Sequence, residues 1–166
     1  YPFVPSLINF ISTCIAVKIP TFASCFGFQA AVICLDGKIT RDEQNFEMGT
    51  LPMNLSSEAT QDPVYRNIPQ GFYAVSVHQE KATTLPENTI LLASTKACIH
   101  SFKVIDAPLW AFQFHPELDK KCLVERLNVY KEKYTEDKDH FNQIINSLHE
   151  TPYSNQLVKN FIDMLY

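Results

Sequence analysis

No apolar stretch in the 166 residues reaches the length of a membrane-spanning helix, and no cluster of lysine and arginine could track a phosphate backbone. Membrane insertion and nucleic-acid binding are therefore disfavoured, and the formal net charge of -4 agrees. The start of the chain has no basic region leading into a cleavable apolar segment. Cysteine never occurs as C-x-x-C, and five irregularly spaced cysteines suit reduced thiols in a cytoplasmic protein better than a disulfide framework. His100, His140 and His149 find no second histidine or carboxylate at ligand spacing, so no metal and no other cofactor is expected. Internal repeats and low-complexity tracts are missing too. What is present, 46% hydrophobic and 19% charged residues, is enough to bury a real core.

Two short segments carry chemistry. In Pro20-Thr21-Phe22-Ala23-Ser24-Cys25-Phe26-Gly27-Phe28-Gln29 a buried-strand run breaks into a turn at a cysteine. Far downstream stands Phe112-Gln113-Phe114-His115-Pro116-Glu117. A thiol near its reference pKa is mostly protonated at neutral pH, and an imidazole beside it can take that proton. A carboxylate on the far side of the ring fixes the tautomer and stabilises the imidazolium. Pro116 interrupts regular structure, so His115 and Glu117 can leave a strand end in a fixed geometry. Gly27 stands where a sharp turn needs a residue without a Cβ, and the first N–H groups of the next helix would face the thiolate and favour it. Cys25, His115 and Glu117 are thus candidate nucleophile, acid–base and orienting group. The bland alternative for each is a core cysteine, a strand-terminal histidine or a solvated turn glutamate. Cys14, Cys34, Cys98 and Cys122 have no such company and read as core fillers.

These residues resemble the class I glutamine amidotransferases, with their G-x-C-x-G-x-Q elbow and late H-P-E motif. The likeness runs to about Glu117 and includes Gly37-Lys38-Ile39, Glu47-Met48-Gly49-Thr50, Asp62-Pro63-Val64-Tyr65 and Ser76-Val77-His78-Gln79. It implies a flavodoxin-like α/β three-layer sandwich that hydrolyses the side-chain amide of glutamine through a γ-glutamyl thioester. It also implies that Phe26, Gly27, Gln29, Val77 and His78 line the glutamine site, and that ammonia passes to a synthetase domain or subunit. His78 could equally be satisfied at a sheet edge.

The chain departs from the pattern in three places. Ala23 replaces the first elbow glycine, and Phe28 replaces the usual histidine. Only one amphipathic helix, with Leu7, Phe10, Ile11, Cys14 and Ile15 on one face, precedes the elbow strand. The expectation is a chain incomplete at its N-terminus, missing part of the sheet and a loop that supplies an oxyanion donor.

A coarse reading places the elbow helix over Phe28 to Leu35, ended by Asp36-Gly37, and strands over Phe72 to Val77, Thr89 to Ala93, Ile99 to Val104 and Trp110 to Phe114. Trp110 reads as core. Residues 1–118 form the amidotransferase-like domain and 119–166 a helical extension in this reading. In the extension Leu123, Leu127, Tyr130 and Tyr134, then Phe141, Ile144, Ile145 and Leu148, then Leu157, Phe161 and Leu165 recur at helical spacing, with a charged turn at Thr135 to Asp139. Thr151-Pro152 resembles an N-cap with proline at the first helical position. Those helices either pack on the domain or offer an apolar face to a partner. Three functions stay open: a glutaminase-type amidotransferase, a γ-glutamyl peptidase using the same triad, and a non-catalytic binding or regulatory relative.

Overall fold

The computed structural model describes residues 2–42, 46–129 and 138–166. Helix α1 (Val4–Ala16) leads into strand β1 (Thr21–Ser24) and helix α2 (Phe26–Cys34). Strands β2 (Ile39–Arg41), β3 (Glu47–Pro52) and β4 (Asn54–Leu55) follow, then two 3-10 turns at Glu58–Gln61 and Pro63–Tyr65. Next come β5 (Tyr73–His78), β6 (Glu80–Ala82), β7 (Thr89–Ser94), β8 (Ile99–Val104) and β9 (Leu109–Phe112). Helices α3 (Lys120–Val129), α4 (Lys138–Ser147) and α5 (Pro152–Asp163) close the chain.

Seven strands form one sheet in the order β1-β9-β8-β6-β2, with β7 also paired to β8 and β4 to β7. The β1–β9 pair is parallel, and the other pairs of that sheet are antiparallel. A separate β3–β5 ribbon is tied to the end of β9 by a bridge between Val75 and His115. Helices cover both faces, which gives the three-layer α/β sandwich.

Alternation along β9 explains the layers, because successive side chains of a strand point to opposite faces. Leu109 and Ala111 join Ile11, Phe28, Ala31 and Phe102 under α1 and α2. Trp110 and Phe112 join Leu92, Leu157 and Phe161 under α5. All four residues of β9 are buried, as expected of a strand sandwiched between helices. Ala23 and Phe22 of β1 split the same way, with Phe22 stacked on Phe112 at 4.3 Å between ring centres.

Most expected elements lie within two residues of their observed positions, and β8 coincides with its expected span. The differences have local causes. The elbow helix starts at Phe26, directly after Cys25. Phe10 points outward at 62% exposure, so the buried stripe of α1 is Ile11 and Cys14, flanked by Leu7 and Ile15. Cys122 is exposed and Cys34 half-buried, so only Cys14 and Cys98 among the four spare cysteines are buried. Thr151 does hold the N-cap position of α5, but its hydroxyl donates to the Leu118 carbonyl at 3.4 Å instead of capping the helix.

Leu123, Leu127, Phe141 and Leu148 bury against Val75 of β5, while Leu157 and Phe161 enter the main core. Tyr130, Tyr134 and residues 135–137 of the expected charged turn lie outside the described residues, and Lys138 and Asp139 already belong to α4. Among the described residues no helix is long and apolar enough to cross a membrane.

Asp62 is a buried anchor between the layers. Its Oδ1 accepts from the Val64 N–H at 2.9 Å, starting the second 3-10 turn, and both carboxylate oxygens lie 3.0 Å from the Trp110 indole N–H. Asn160 of α5 then donates to the Val64 and Arg66 carbonyls, both at 2.9 Å, and so seats the helix on this turn. Asp62→Ala leaves a buried indole N–H and a turn amide without their acceptor, which costs about 2 kcal/mol. Denaturant unfolding followed by the single tryptophan checks this: the midpoint falls and the native emission of Trp110 shifts.

Candidate active site

The site forms where β1 and β9 end side by side. Parallel pairing aligns Ser24 with Phe112, and the Cys25 N–H donates to the Phe112 carbonyl at 2.7 Å. The next residue on each strand therefore leaves the sheet at the same edge. Cys25 has φ 48° and ψ −96°, a conformation that L residues seldom adopt, and it is the residue immediately before α2. The strain of the elbow thus sits on the cysteine itself, not on Gly27 as the sequence suggested. Gly27 serves the approach of helix to strand instead: a Cβ there would lie 3.3 Å from the Ala23 Cβ. The alanine in place of the first elbow glycine fits because its opposing neighbour has no side chain.

Across from the thiol, His115 is pinned by its backbone N–H, which donates to Val75 at 2.8 Å. Its Nδ1 lies 2.7 Å from Glu117 Oε1, and the Cys25 thiol acts electrostatically on its ring. The other Glu117 oxygen accepts from the Ser24 hydroxyl at 2.8 Å. His115, Glu117 and Ser24 thus form a continuous hydrogen-bonded chain beside Cys25. Burial disfavours the charged imidazole, but the hydrogen bonds and charges of Cys25 and Glu117 outweigh it and raise the His115 pKa to about 9. Burial likewise opposes the Glu117 carboxylate, and the hydrogen bonds from His115, its own backbone and Ser24 reverse this and lower its pKa. At neutral pH the pair is imidazolium and carboxylate.

Ser24 and Gln113 were not anticipated. Ser24 is the polar residue immediately before the cysteine, on a strand otherwise read as apolar. Gln113 is fully buried, with its side-chain amide 4.0 Å from Cys25 Sγ and its backbone N–H donating to His100 at 2.8 Å. A buried glutamine between two phenylalanines was the available signal.

The remaining candidates divide. Phe26 is 38% exposed at the first turn of α2, in contact with the Phe3 ring, and Gln29 is half-buried one turn later. Phe28, where a histidine was usual, is fully buried against Phe102. Val77 is half-buried on β5 and packs toward α3 and α4. The His78 ring turns away from solvent: its Nδ1 lies 3.0 Å from the Glu80 carbonyl and its Nε2 3.2 Å from Glu47 Oε2.

With the fold and this geometry in place, relatives can be compared. The sequence model of the glutamine amidotransferase class-I family matches residues 2–125. The chain belongs to that family. It is 30% identical over 102 residues to a glutamine-hydrolysing GMP synthase of Borrelia garinii subsp. bavariensis, an alignment covering 61% of this chain and 19% of that protein. It is 27% identical over 120 residues to a gamma-glutamyl-L-1-hydroxyisopropylamide hydrolase of a Pseudomonas species, covering 67% of this chain and 40% of that one. The chain thus spans a minor part of each of these two relatives. The crystal structure of a glutamine amidotransferase from Thermotoga maritima superposes with a TM-score of 0.82 at 18% identity, covering 99% of this chain and 70% of that one. That likeness shows the shared α/β fold.

Two outcomes follow from the geometry. In an NMR titration His115 reads out near pH 9, and Cys25→Ala and Glu117→Gln each move that value down toward the ordinary histidine range. Because the folded pKa is raised above an unfolded value of about 6.5, the associated stability is complete below that pH and is lost as pH rises through about 9. Separately, Gly27→Ala is less favourable beside Ala23 than in an Ala23→Gly background by about 1 kcal/mol. A double-mutant cycle by denaturant unfolding measures this coupling.

Proposed function

We propose that the chain hydrolyses the side-chain amide of glutamine through a γ-glutamyl thioester on Cys25. The observation that carries this reading is the hydrogen-bonded chain from His115 through Glu117 to Ser24, with the Cys25 thiol acting on the same imidazole. The thiolate attacks the carboxamide carbon, and the His115 imidazolium gives its proton to the departing ammonia. Neutral His115 then takes a proton from water, which attacks the thioester and releases glutamate and the thiol. Glu117 stays ionised throughout and orients the ring, with Ser24 holding the carboxylate from the other side. The backbone N–H of Phe26, first in α2, supplies one oxyanion donor, since the first N–H groups of a helix have no partner within it. Phe26, Gly27 and Gln29 line the pocket from the helix side, and the β5 backbone near Val77 lines it from the other. The His78 ring takes no part, because it is turned toward Glu47.

The ammonia goes to a synthetase domain or subunit. Membership of the amidotransferase family and likeness to part of a glutamine-hydrolysing synthase support this. A γ-glutamyl amide hydrolase is the second reading, favoured by the Pseudomonas relative. The chemistry at Cys25 is identical in the two, and only the leaving amine differs. Residues 1–118 make up the catalytic domain and 119–166 the helical extension in either case.

Intact mass after incubation with a glutamine-mimicking electrophile is the direct test. A single adduct is expected, absent in Cys25→Ala, and no adduct on a folded protein would leave only a non-catalytic relative. Ammonia release from glutamine, compared with release of alkylamine from γ-glutamyl alkylamides, separates the two enzymatic readings. Cys25→Ala lowers turnover by at least about 10⁴-fold. Ser24→Ala, which removes one hydrogen bond from Glu117, lowers it about fivefold.

A further inference from the structure

A second constellation of reactive side chains lies away from the elbow. Glu47 of β3, His78 at the end of β5, Cys98 just before β8 and His100 of β8 bring one ligand atom each to within 4.8 Å of one another. Three of them converge on a single oxygen. Glu47 Oε2 lies 2.8 Å from His100 Nε2, 3.2 Å from His78 Nε2 and 3.3 Å from Cys98 Sγ. Cys98, His78 and His100 are 7%, 7% and 0% exposed.

Protons alone satisfy this cluster poorly. His78 Nδ1 sits 3.0 Å from the Glu80 carbonyl, an oxygen that can only accept, so Nδ1 carries a proton. In the neutral ring Nε2 is then a bare lone pair, and it faces a carboxylate oxygen at 3.2 Å. His78 Nε2 accordingly has no hydrogen-bond partner. A backbone carbonyl fixing one ring nitrogen so that the other presents its lone pair is the usual support of a metal-bound histidine. The Glu47 carboxylate is supported in the same way, its Oε1 accepting from the Thr95 hydroxyl at 2.8 Å.

The geometry points to a divalent transition-metal site, best suited to zinc, with Glu47, His78, Cys98 and His100 as its four ligands. Two imidazoles, a thiolate and a carboxylate are donors that zinc accepts in a closed tetrahedral shell. On binding, the Cys98 thiol releases its proton to water, and the two anionic ligands balance the 2+ charge. In such a shell neighbouring ligand atoms stand about 3.3–3.8 Å apart. The 2.8 Å contact of His100 to Oε2 therefore lengthens by about half an ångström as metal bonds replace it, and those of His78 and Cys98 change less. Four protein ligands leave no open position, so the ion is structural. It joins β3 and β5 of the ribbon to β8 of the main sheet, and the carbonyl of His100 in turn holds Gln113 behind Cys25.

The test uses the chain with Cys25→Ala, so that the elbow thiol gives no signal, stripped with chelator and titrated with Co²⁺ and then Zn²⁺. Expected are one cobalt per chain with a thiolate-to-cobalt charge-transfer band, its loss when zinc displaces cobalt, and a rise in Tm with zinc of about 5 °C. Zinc also slows alkylation of Cys98 at least about tenfold, read by peptide mass, and excess chelator restores it. In Cys98→Ser the charge-transfer band vanishes, and in His100→Asn cobalt affinity falls at least about tenfold. Folding of each variant is checked by circular dichroism. A stripped, folded protein with no charge-transfer band and the same Cys98 alkylation rate with and without zinc overturns the assignment. So does a band that survives Cys98→Ser, which would place the metal on another thiol.

Discussion

The candidate active site depends on one pairing, the parallel register of β1 with β9. Parallel strands end at the same edge of a sheet, so a cysteine one residue past β1 and a histidine three residues past β9 emerge together although ninety positions separate them in the chain. Had the two strands been antiparallel, Cys25 and His115 would lie at opposite edges. The pairing in turn needs β9 to be covered on both faces, since parallel sheets persist where helices shield both sides. α1 and α2 provide one cover and α5 the other, and the alternating side chains of β9 reach into both cores. The C-terminal helix is therefore part of what keeps His115 opposite Cys25.

The elbow shows how a strained backbone is held. A non-glycine residue at positive φ carries a conformational cost of order 1–3 kcal/mol and persists only when its surroundings fix it. Here the Cys25 N–H is bonded to Phe112, its carbonyl accepts from the Gln29 N–H at 3.1 Å, and Gly27 lets α2 close on Ala23. Those contacts fix both sides of the cysteine, so the side chain is directed at His115 without freedom to turn into the core. The exchange of elbow glycine for alanine is tolerated because the packing distance is set by the pair Ala23 and Gly27, of which only one carries a Cβ.

Much of this was legible from residue order. The run from Pro20 to Cys25, the proline after His115, and the alternation through Ile99 to Val104 are local signals of strand, turn and strand. The positive φ of Cys25 left no trace, because nothing in its residue type asks for it. Ser24 and Gln113 stayed hidden since their partners, Glu117 and the Cys25 sulfur, are distant in sequence. The same reason hid the grouping of His78, Cys98 and His100 around Glu47. Those four come from three strands in two sheets, and only His100 and Cys98 are near neighbours in the chain. Spacing rules for metal ligands detect sets carried on one or two local segments, and they pass over sets assembled by topology.

The two carboxylate–imidazole clusters place their thiols differently. At the elbow the thiol faces an imidazole whose pKa is raised to about 9, while the carboxylate lies on the far side of that ring. The positive group thus stands between sulfur and carboxylate. At the second cluster the order is reversed: Cys98 Sγ meets the Glu47 oxygen directly, at 3.3 Å. Burial and the adjacent carboxylate both push the Cys98 thiol up, so without a cation it is held in the thiol form. Glu47 itself is held ionised despite burial by its hydrogen bonds with His100 and Thr95. The two clusters thus use the same three residue types and differ in which of them stands in the middle.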